Sequence, residues 1–390
     1  MLKLLQINAT ANWGSTGRIA EQIGLAATAR GWESFVAYGR YANPSMSQLI
    51  RIGSSGAVYE HYMEHRLLDN EGLASRMSTK KLIDSIRNID PDIIHLHNIH
   101  DHYLNYKALF AYLNSVSKPV VWTFHDCWAF TGHCCYFDSV DCKRWKNGCC
   151  SCPLSKSLID RSQRNYLMKS NIFRQKENLV IVPVSEWLAG NVRESFLNEK
   201  RIEVIHNGID LKKFSHKDGT NDGRFHLLGV SNVWDARKGL HDFIKLKDLI
   251  GDGFRITLVG LSSKQIKGLP DGISGIERTT SVQELAQLYS SADVLVNPTY
   301  ADTFPTVNLE ALACGTPVIT YRTGGSPEAV DDQTGIVVEQ GDVGGLAEAV
   351  MKLKAHPLSR ETCRARAEKY FDKDKCFEKY VDLYEELIRE

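Results

Sequence analysis

The chain of 390 residues is longer than a usual single domain, so two domains of similar size are expected, each able to bury a core without staples. Its 47 basic residues balance 47 acidic ones, which argues against a dedicated nucleic-acid binder with a basic face. No stretch approaches the ~18–20 apolar residues of a membrane span. Met1–Asn8 carries no cleavage-type signal, so a cytoplasmic protein is expected, with peripheral contact at the inner membrane face left open.

Short β-branched runs alternate with longer helical stretches, the pattern of parallel α/β units. In the first half, strands are expected at Leu4–Asn8, Phe35–Tyr38, Asp92–His95, Val120–Phe124 and Val180–Val184. Helices are expected between them at Arg18–Arg30, Thr79–Asn88, Tyr106–Ser115 and Arg161–Lys176. In the second half, strands fit Glu203–Ile205, His226–Val230, Arg255–Val259, Asp293–Val296, Pro317–Thr320 and Gly335–Val338. The helices there fit Gly239–Leu249, Val282–Ser290, Thr306–Ala313 and Val343–Lys354. Two such sets imply two doubly wound α/β domains, 1–198 and 199–372, facing across a cleft. The last helix, Lys373–Ile388, carries Tyr, Phe and Leu at helical spacing and needs an apolar groove, so 373–390 is expected to pack back on the first domain.

The first strand runs into Asn8-Ala9-Thr10-Ala11-Asn12-Trp13-Gly14-Ser15-Thr16-Gly17, where Gly14 and Gly17 let backbone N–H groups approach an anion at a helix start. A flexible loop explains the same glycines. The histidines His95, His97, His100 and His102 lack an obvious metal geometry and read as loop residues near an acceptor site. Seven of ten cysteines fall between Cys127 and Cys152. Cys134, Cys142, Cys149 and Cys152 form C-x7-C-x6-C-x2-C, which can close a tetrahedral zinc site, with free or oxidised thiols as the other reading. Such a zinc would be structural, because four protein ligands leave no open position.

In the second half, Arg237 and Lys238 precede Gly239 at a helix start, placed for a diphosphate or simply solvated. In Asp302–Thr320, Asp302 sits in a loop and Glu310 just inside a helix, beside the N–H groups of Thr306 and Val307. Acceptors for hydroxyls beside donors for phosphate suit a sugar nucleotide, while Asp302 as a helix cap is the plainer account.

The order of Asp92–His97, Thr123–Asp126, His206–Asp210, Arg237–Gly239 and Asp302–Glu328 resembles family 4 of the retaining glycosyltransferases, which have the GT-B fold. The resemblance covers nearly the whole chain. It implies that Glu310 binds the donor ribose and that Asp302, here in place of the family's Glu, contacts the donor sugar. It implies phosphate binding by Lys238; the family's usual Arg six positions earlier is Asn232, so Arg237 is expected to compensate. His125 maps to the active-site histidine, and Gly14 and Gly17 to the glycine-rich loop. The run 127–153 resembles a cysteine-rich insertion of capsular-polysaccharide and colanic-acid-type transferases.

The expected function is therefore retaining transfer of a sugar from a nucleotide diphosphate-sugar to a glycan or lipid-linked acceptor of surface polysaccharide, without a catalytic metal. His125, Lys238 and Asp302 are the catalytic candidates. A nicotinamide oxidoreductase would need a G-x-G-x-x-G after a strand, which is lacking. A zinc-dependent nucleic-acid module conflicts with the net neutrality, and a nucleotide-sugar epimerase on the same fold is the nearer rival.

Overall fold

A computed structural model describes residues 1–217 and 223–390. The chain forms two units, Met1–His206 with Phe377–Glu390, and Asn207–Cys376.

The first unit is built on seven strands: β1 (Lys3–Asn8), β2 (Glu33–Tyr38), β3 (Gln48–Arg51), β4 (Ile93–Leu96), β5 (Val120–Phe124), β6 (Leu179–Pro183) and β7 (Arg201–Ile202). All are parallel, in the order β3-β2-β1-β4-β5-β6-β7. Helices cover both faces, so the central strands bury neighbouring residues in succession: Leu4, Leu5 and Ile7 of β1 are wholly enclosed. Phe377, Tyr380, Val381 and Tyr384 of the helix Lys373–Arg389 join Leu4, Ile93, Val121 and Val180 in one core, the i, i+3, i+4, i+7 stripe of an amphipathic helix.

Among the described residues the second unit has six parallel strands: β8 (Phe225–Val230), β9 (Phe254–Val259), β10 (Ile273–Ile276), β11 (Val294–Asn297), β12 (Val318–Tyr321) and β13 (Gly335–Val338). Their order is β10-β9-β8-β11-β12-β13. Both sheets thus reverse direction of winding between their first and fourth strands, between β1 and β4 and between β8 and β11. At such a switch point the loops beyond the strand ends diverge to opposite faces and leave a crevice for a ligand.

Three strands depart from the expected pattern. β3 and β10 lie at sheet edges and carry exposed residues, so neither has the apolar run that marks a buried strand. The expected strand at Glu203–Ile205 falls instead on Arg201–Ile202, a two-residue edge strand. The helices Ser55–Leu68 and Arg360–Tyr370 were likewise hidden in the sequence: one buries only His61, the other only Cys363 and Ala367.

Candidate active site

In the second unit the loops that leave β8 and β11 are pinned to each other. The N–H of Tyr300 donates to the carbonyl of Arg237 at 2.6 Å, and Thr299 Oγ1 donates to the same oxygen at 3.2 Å. Gly239 turns in the left-handed region, φ 71°, where a Cβ would collide with the carbonyl of Pro298. That close approach explains the glycine after Arg237-Lys238. It also delivers Lys238 to Asp302, Nζ to Oδ2 2.6 Å, with both side chains about four-fifths buried at 23% and 21% exposure. Gly324 approaches from the loop after β12, and a side chain there would strike the carbonyl of Asp302. Arg237 is turned onto Asp235, its Nη2 2.8 Å from Oδ2.

Asp302 does not cap the following helix. Its Oδ1 accepts the N–H of Phe304 at 3.3 Å, while the helix Thr306–Ala313 begins after Pro305 with no side-chain cap. The N–H groups of the first turn at Thr306 and Val307 therefore have no capping side chain. One turn on, Glu310 Oε2 accepts the hydroxyl of Tyr289 at 2.7 Å. Tyr289 is fully buried, and burial together with the Glu310 carboxylate pushes its phenol well above the usual range, so it stays a donor. Tyr289 had no signal in the sequence beyond a place in a helical run.

In the first unit, Gly14 opens the helix Gly14–Ala29 with φ 67°, and Gly17 packs so closely on Thr10 that any side chain would displace it. Beyond β4 and β5 a hydrogen-bonded chain joins three elements. Gln6 Nε2 donates to the carbonyl of Ala20 at 2.8 Å, which leaves its Oε1 to accept His97 Nε2–H at 3.0 Å. His97 Nδ1 then accepts from His125 Nε2 at 3.1 Å. The chain assigns the proton of His125 to Nε2 and a lone pair to Nδ1. Burial lowers the pKa of His125 to about 4, so the ring is neutral near pH 7.

Of the four histidines expected in a loop, His97, His100 and His102 do lie in the loop after β4, and His95 does not. His95 lies inside β4, fully buried, with Nδ1 2.6 Å from the Tyr384 hydroxyl and Nε2 2.8 Å from Thr123 Oγ1. Its role is to join the sheet to the C-terminal helix. His100 forms a buried pair with Asp126, Nε2 to Oδ2 2.9 Å. Burial opposes the charged ring, but Asp126 and Glu71 outweigh it and raise His100 to about 9.

The run 127–153 folds as three short 3-10 turns packed through Phe130, Phe137 and Trp145. Cys149 is buried, and Cys134, Cys142 and Cys152 are half-buried. None of the ten cysteines is paired in a disulfide. Groups of three ligand-type atoms within 4.8 Å of one another occur at His100, Asp126 and Cys135, at Asp69, His133 and Asp160, and at Glu71, His100 and Asp101. Among the described residues no helix is long and apolar enough to cross a membrane.

Solved structures share this architecture. Sucrose-phosphate synthase from Thermosynechococcus elongatus superposes with a TM-score of 0.76 at 18% identity, covering 100% of both chains. HepE from Anabaena, in complex with UDP, superposes at 0.65 with 16% identity, covering 99% of this chain and 100% of that one. Two parallel-sheet units of this kind place the protein in the GT-B class of glycosyltransferase folds. A family model described as Glycosyltransferase Family 4 matches residues 16–213, and one described as Glycosyl transferases group 1 matches 224–356. The chain belongs to glycosyltransferase family 4 and is a glycosyltransferase. The putative colanic acid biosynthesis glycosyl transferase WcaC of Escherichia coli (strain K12) is 24% identical over 324 residues, 77% of this chain and 78% of that protein.

Proposed function

We propose that this enzyme transfers a sugar, with retention of anomeric configuration, from a nucleoside diphosphate-sugar to a glycan or lipid-linked acceptor of a surface polysaccharide. The observation that carries the reading is the grouping of Lys238, Asp302, the uncapped helix start at Thr306 and Val307, and the Tyr289-braced Glu310 at one carboxyl edge of the second sheet. Two carboxylates beside a cation and open N–H groups suit a molecule that carries hydroxyls at both ends and a diphosphate in the middle. That HepE binds UDP and that WcaC is named for colanic acid biosynthesis support the donor and acceptor classes.

In this mechanism Glu310 accepts the ribose hydroxyls and Asp302 a hydroxyl of the donor sugar. Lys238 has three N–H donors; one serves Asp302, and the others face charge that grows on the leaving diphosphate. The first-turn N–H groups at Thr306 and Val307 add to that field. Arg237 reaches the diphosphate by sharing its guanidinium with Asp235. In the first unit, Gly14 and Gly17 keep the loop low over the helix start, and neutral His125 offers Nδ1 as an acceptor to a sugar hydroxyl. The departing phosphate oxygen takes the acceptor's proton, so neither a separate base nor a metal enters the chemical step. The enzyme would act on the cytoplasmic side, where nucleotide-sugars are made.

A thermal-shift panel of UDP, GDP, ADP and their sugar conjugates identifies the donor. NMR of the product then reads the new anomeric linkage. An inverted linkage, or stabilisation by NAD or an oligonucleotide and by no nucleoside diphosphate, refutes the proposal.

A further inference from the structure

Beyond the first sheet, the loops after β1 and β2 are joined to each other. The N–H of Ala11 donates to the carbonyl of Tyr41 at 2.9 Å, and the N–H of Asn43 to the carbonyl of Ala11 at 3.0 Å, a short parallel bridge past the strand ends. Asn12 turns in the left-handed region, φ 46°, and its Nδ2 donates to the carbonyl of Pro44 at 2.7 Å. The loop after β4 closes on this pair. Gly39 lies so near the Tyr103 ring that any side chain would collide with it, and the Tyr103 hydroxyl donates to the carbonyl of Asn98 at 2.7 Å. Three loops therefore form one ledge at the carboxyl edge of the sheet. The third of them carries His97, the partner of His125.

The ledge presents an aromatic pair that packing of the core does not use. Trp13 is 47% exposed and Tyr41 51%, with ring centroids 4.8 Å apart and planes inclined by 37°. Their backbones are nevertheless fixed, Tyr41 through Ala11 and Trp13 through its carbonyl, which accepts Thr10 Oγ1 at 2.8 Å. Two large rings held together in water on an anchored loop are the kind of exposed apolar surface that marks a binding site. Arg40 completes the rim. Its guanidinium stands 5.4 Å from the Tyr41 ring centre, and Nη1 lies 3.3 Å from Asp101 Oδ1. An ion pair as exposed as this contributes little to the fold, so both groups can exchange water for ligand hydroxyls at small cost.

A sugar ring has the matching chemistry, with an apolar C–H face for an aromatic plane and hydroxyls at its edge for a guanidinium and a carboxylate. The Asp101 carboxylate repels phosphate, which disfavours a nucleotide or a lipid headgroup in the same place. Distance sets the size of the ligand. Tyr41 follows β2 and His125 follows β5, three strand spacings apart in the order β2-β1-β4-β5, or ~14 Å, more than one pyranose spans.

We propose that Trp13 and Tyr41 are a stacking platform for one sugar of an extended acceptor, with Arg40 and Asp101 taking its hydroxyls, so that the acceptor is an oligosaccharide or a polymer end and not a single sugar. This rests on the glycan-acceptor reading above and adds to it the length of the acceptor and the residues that measure it.

Oligosaccharides of two to six sugars, released by mild acid from the surface polysaccharide of the strain that carries the gene, provide the test. They are titrated into the full-length protein with and without saturating UDP or GDP and followed by proton NMR. Upfield-shifted ring protons on one sugar of the bound oligosaccharide are expected, as is binding of the component single sugars weaker by about tenfold or more. Trp13 has an extended backbone ahead of the helix Gly14–Ala29 and a side chain in water, so Trp13→Ala should fold as the parent does. It should weaken the oligosaccharide by about ten- to a hundredfold, Trp13→Phe should retain most of the affinity, and nucleoside diphosphate binding should be unchanged in both. Oligosaccharide bound equally by parent and Trp13→Ala, or not bound by the parent at all, overturns the proposal. So does an equal loss of diphosphate affinity, which would make the rings part of the donor site. Loss of sedimentation with anionic phospholipid vesicles, with sugar binding intact, would make them a membrane contact and overturns it as well. A parent protein that binds a nucleoside diphosphate but no oligosaccharide fails this inference alone, whereas one that binds oligosaccharide through Trp13 but no nucleoside diphosphate fails the donor reading alone.

Discussion

Replacing Glu310 by Gln tests the donor site at its most defined contact. The change conserves volume and leaves the helix Thr306–Ala313 intact, but it removes the charge. Tyr289 donates its hydroxyl at 2.7 Å and needs an acceptor, so the new amide oxygen stays with Tyr289 and the NH₂ turns toward the ribose. Ribose hydroxyls would then meet a donor where they had a carboxylate. Charge-assisted hydrogen bonds contribute ~1.5–3 kcal/mol, so affinity for the nucleoside diphosphate should drop by roughly ten- to a hundredfold. Donor and free diphosphate should weaken together, because the ribose is the same in both, and kcat at saturation should change little. Tyr289→Phe keeps the buried ring and the charge while removing one orienting bond, for a smaller loss of about 0.5–1.5 kcal/mol, roughly two- to tenfold. The double variant should be no weaker than Glu310→Gln, since both changes act through one carboxylate. Calorimetric titration of all three, with the melting temperature as a check on folding, measures this. Unchanged diphosphate affinity in a folded Glu310→Gln protein refutes the assignment of the ribose to this helix.

Lys238→Ala should chiefly slow turnover, by about 10²–10³ in kcat, because the charge it faces grows as the sugar departs; steady-state kinetics with the identified donor checks it. His97→Ala removes the acceptor that fixes the His125 proton on Nε2, so kcat should fall although His97 touches no substrate, and His97→Gln should restore part of it. Burial holds His61 and His125 at about 4, below the unfolded value near 6.5. The unfolded chain therefore takes up these protons first, and stability should decline between pH 6.5 and 4 by up to about 3 kcal/mol per ring. His100 has the opposite sign: raised to about 9, it stabilises fully below pH 6.5 and loses that contribution as pH rises through 9. Urea midpoints across pH should show His61→Gln flattening the acid limb and His100→Gln the alkaline one; unchanged limbs would contradict the burial argument.

Much of this protein was legible in its sequence. β1, β5 and β8 announce themselves because a parallel strand covered on both faces must be apolar over consecutive residues, a local requirement. The C-terminal helix shows its periodic apolar stripe, and Asp302–Glu328 shows the spacing of an acid loop, a helix start and a second acid. Gly239 is explained by a turn that only a residue without a side chain can make beside Pro298. What failed was the reading of short elements and of polar residues taken one at a time. β3 and β10 are edge strands with one ladder each, so nothing forces their residues to be apolar. His95 looked like a loop residue because its partners, Thr123 and Tyr384, lie 28 and 289 positions away.

The same distance in sequence separates the other decisive pairs: Lys238 from Asp302 by 64 positions, Glu310 from Tyr289 by 21, and His133 from Asp69 by 64. The sequence by itself determined the class of each element, because helix and strand periods and the turns that end them are set by the backbone of neighbouring residues. Only the tertiary structure decided which polar groups meet. Strand order and the reversal between β8 and β11 bring remote loops to one edge, and a buried charge or ring nitrogen then takes whichever partner that packing supplies.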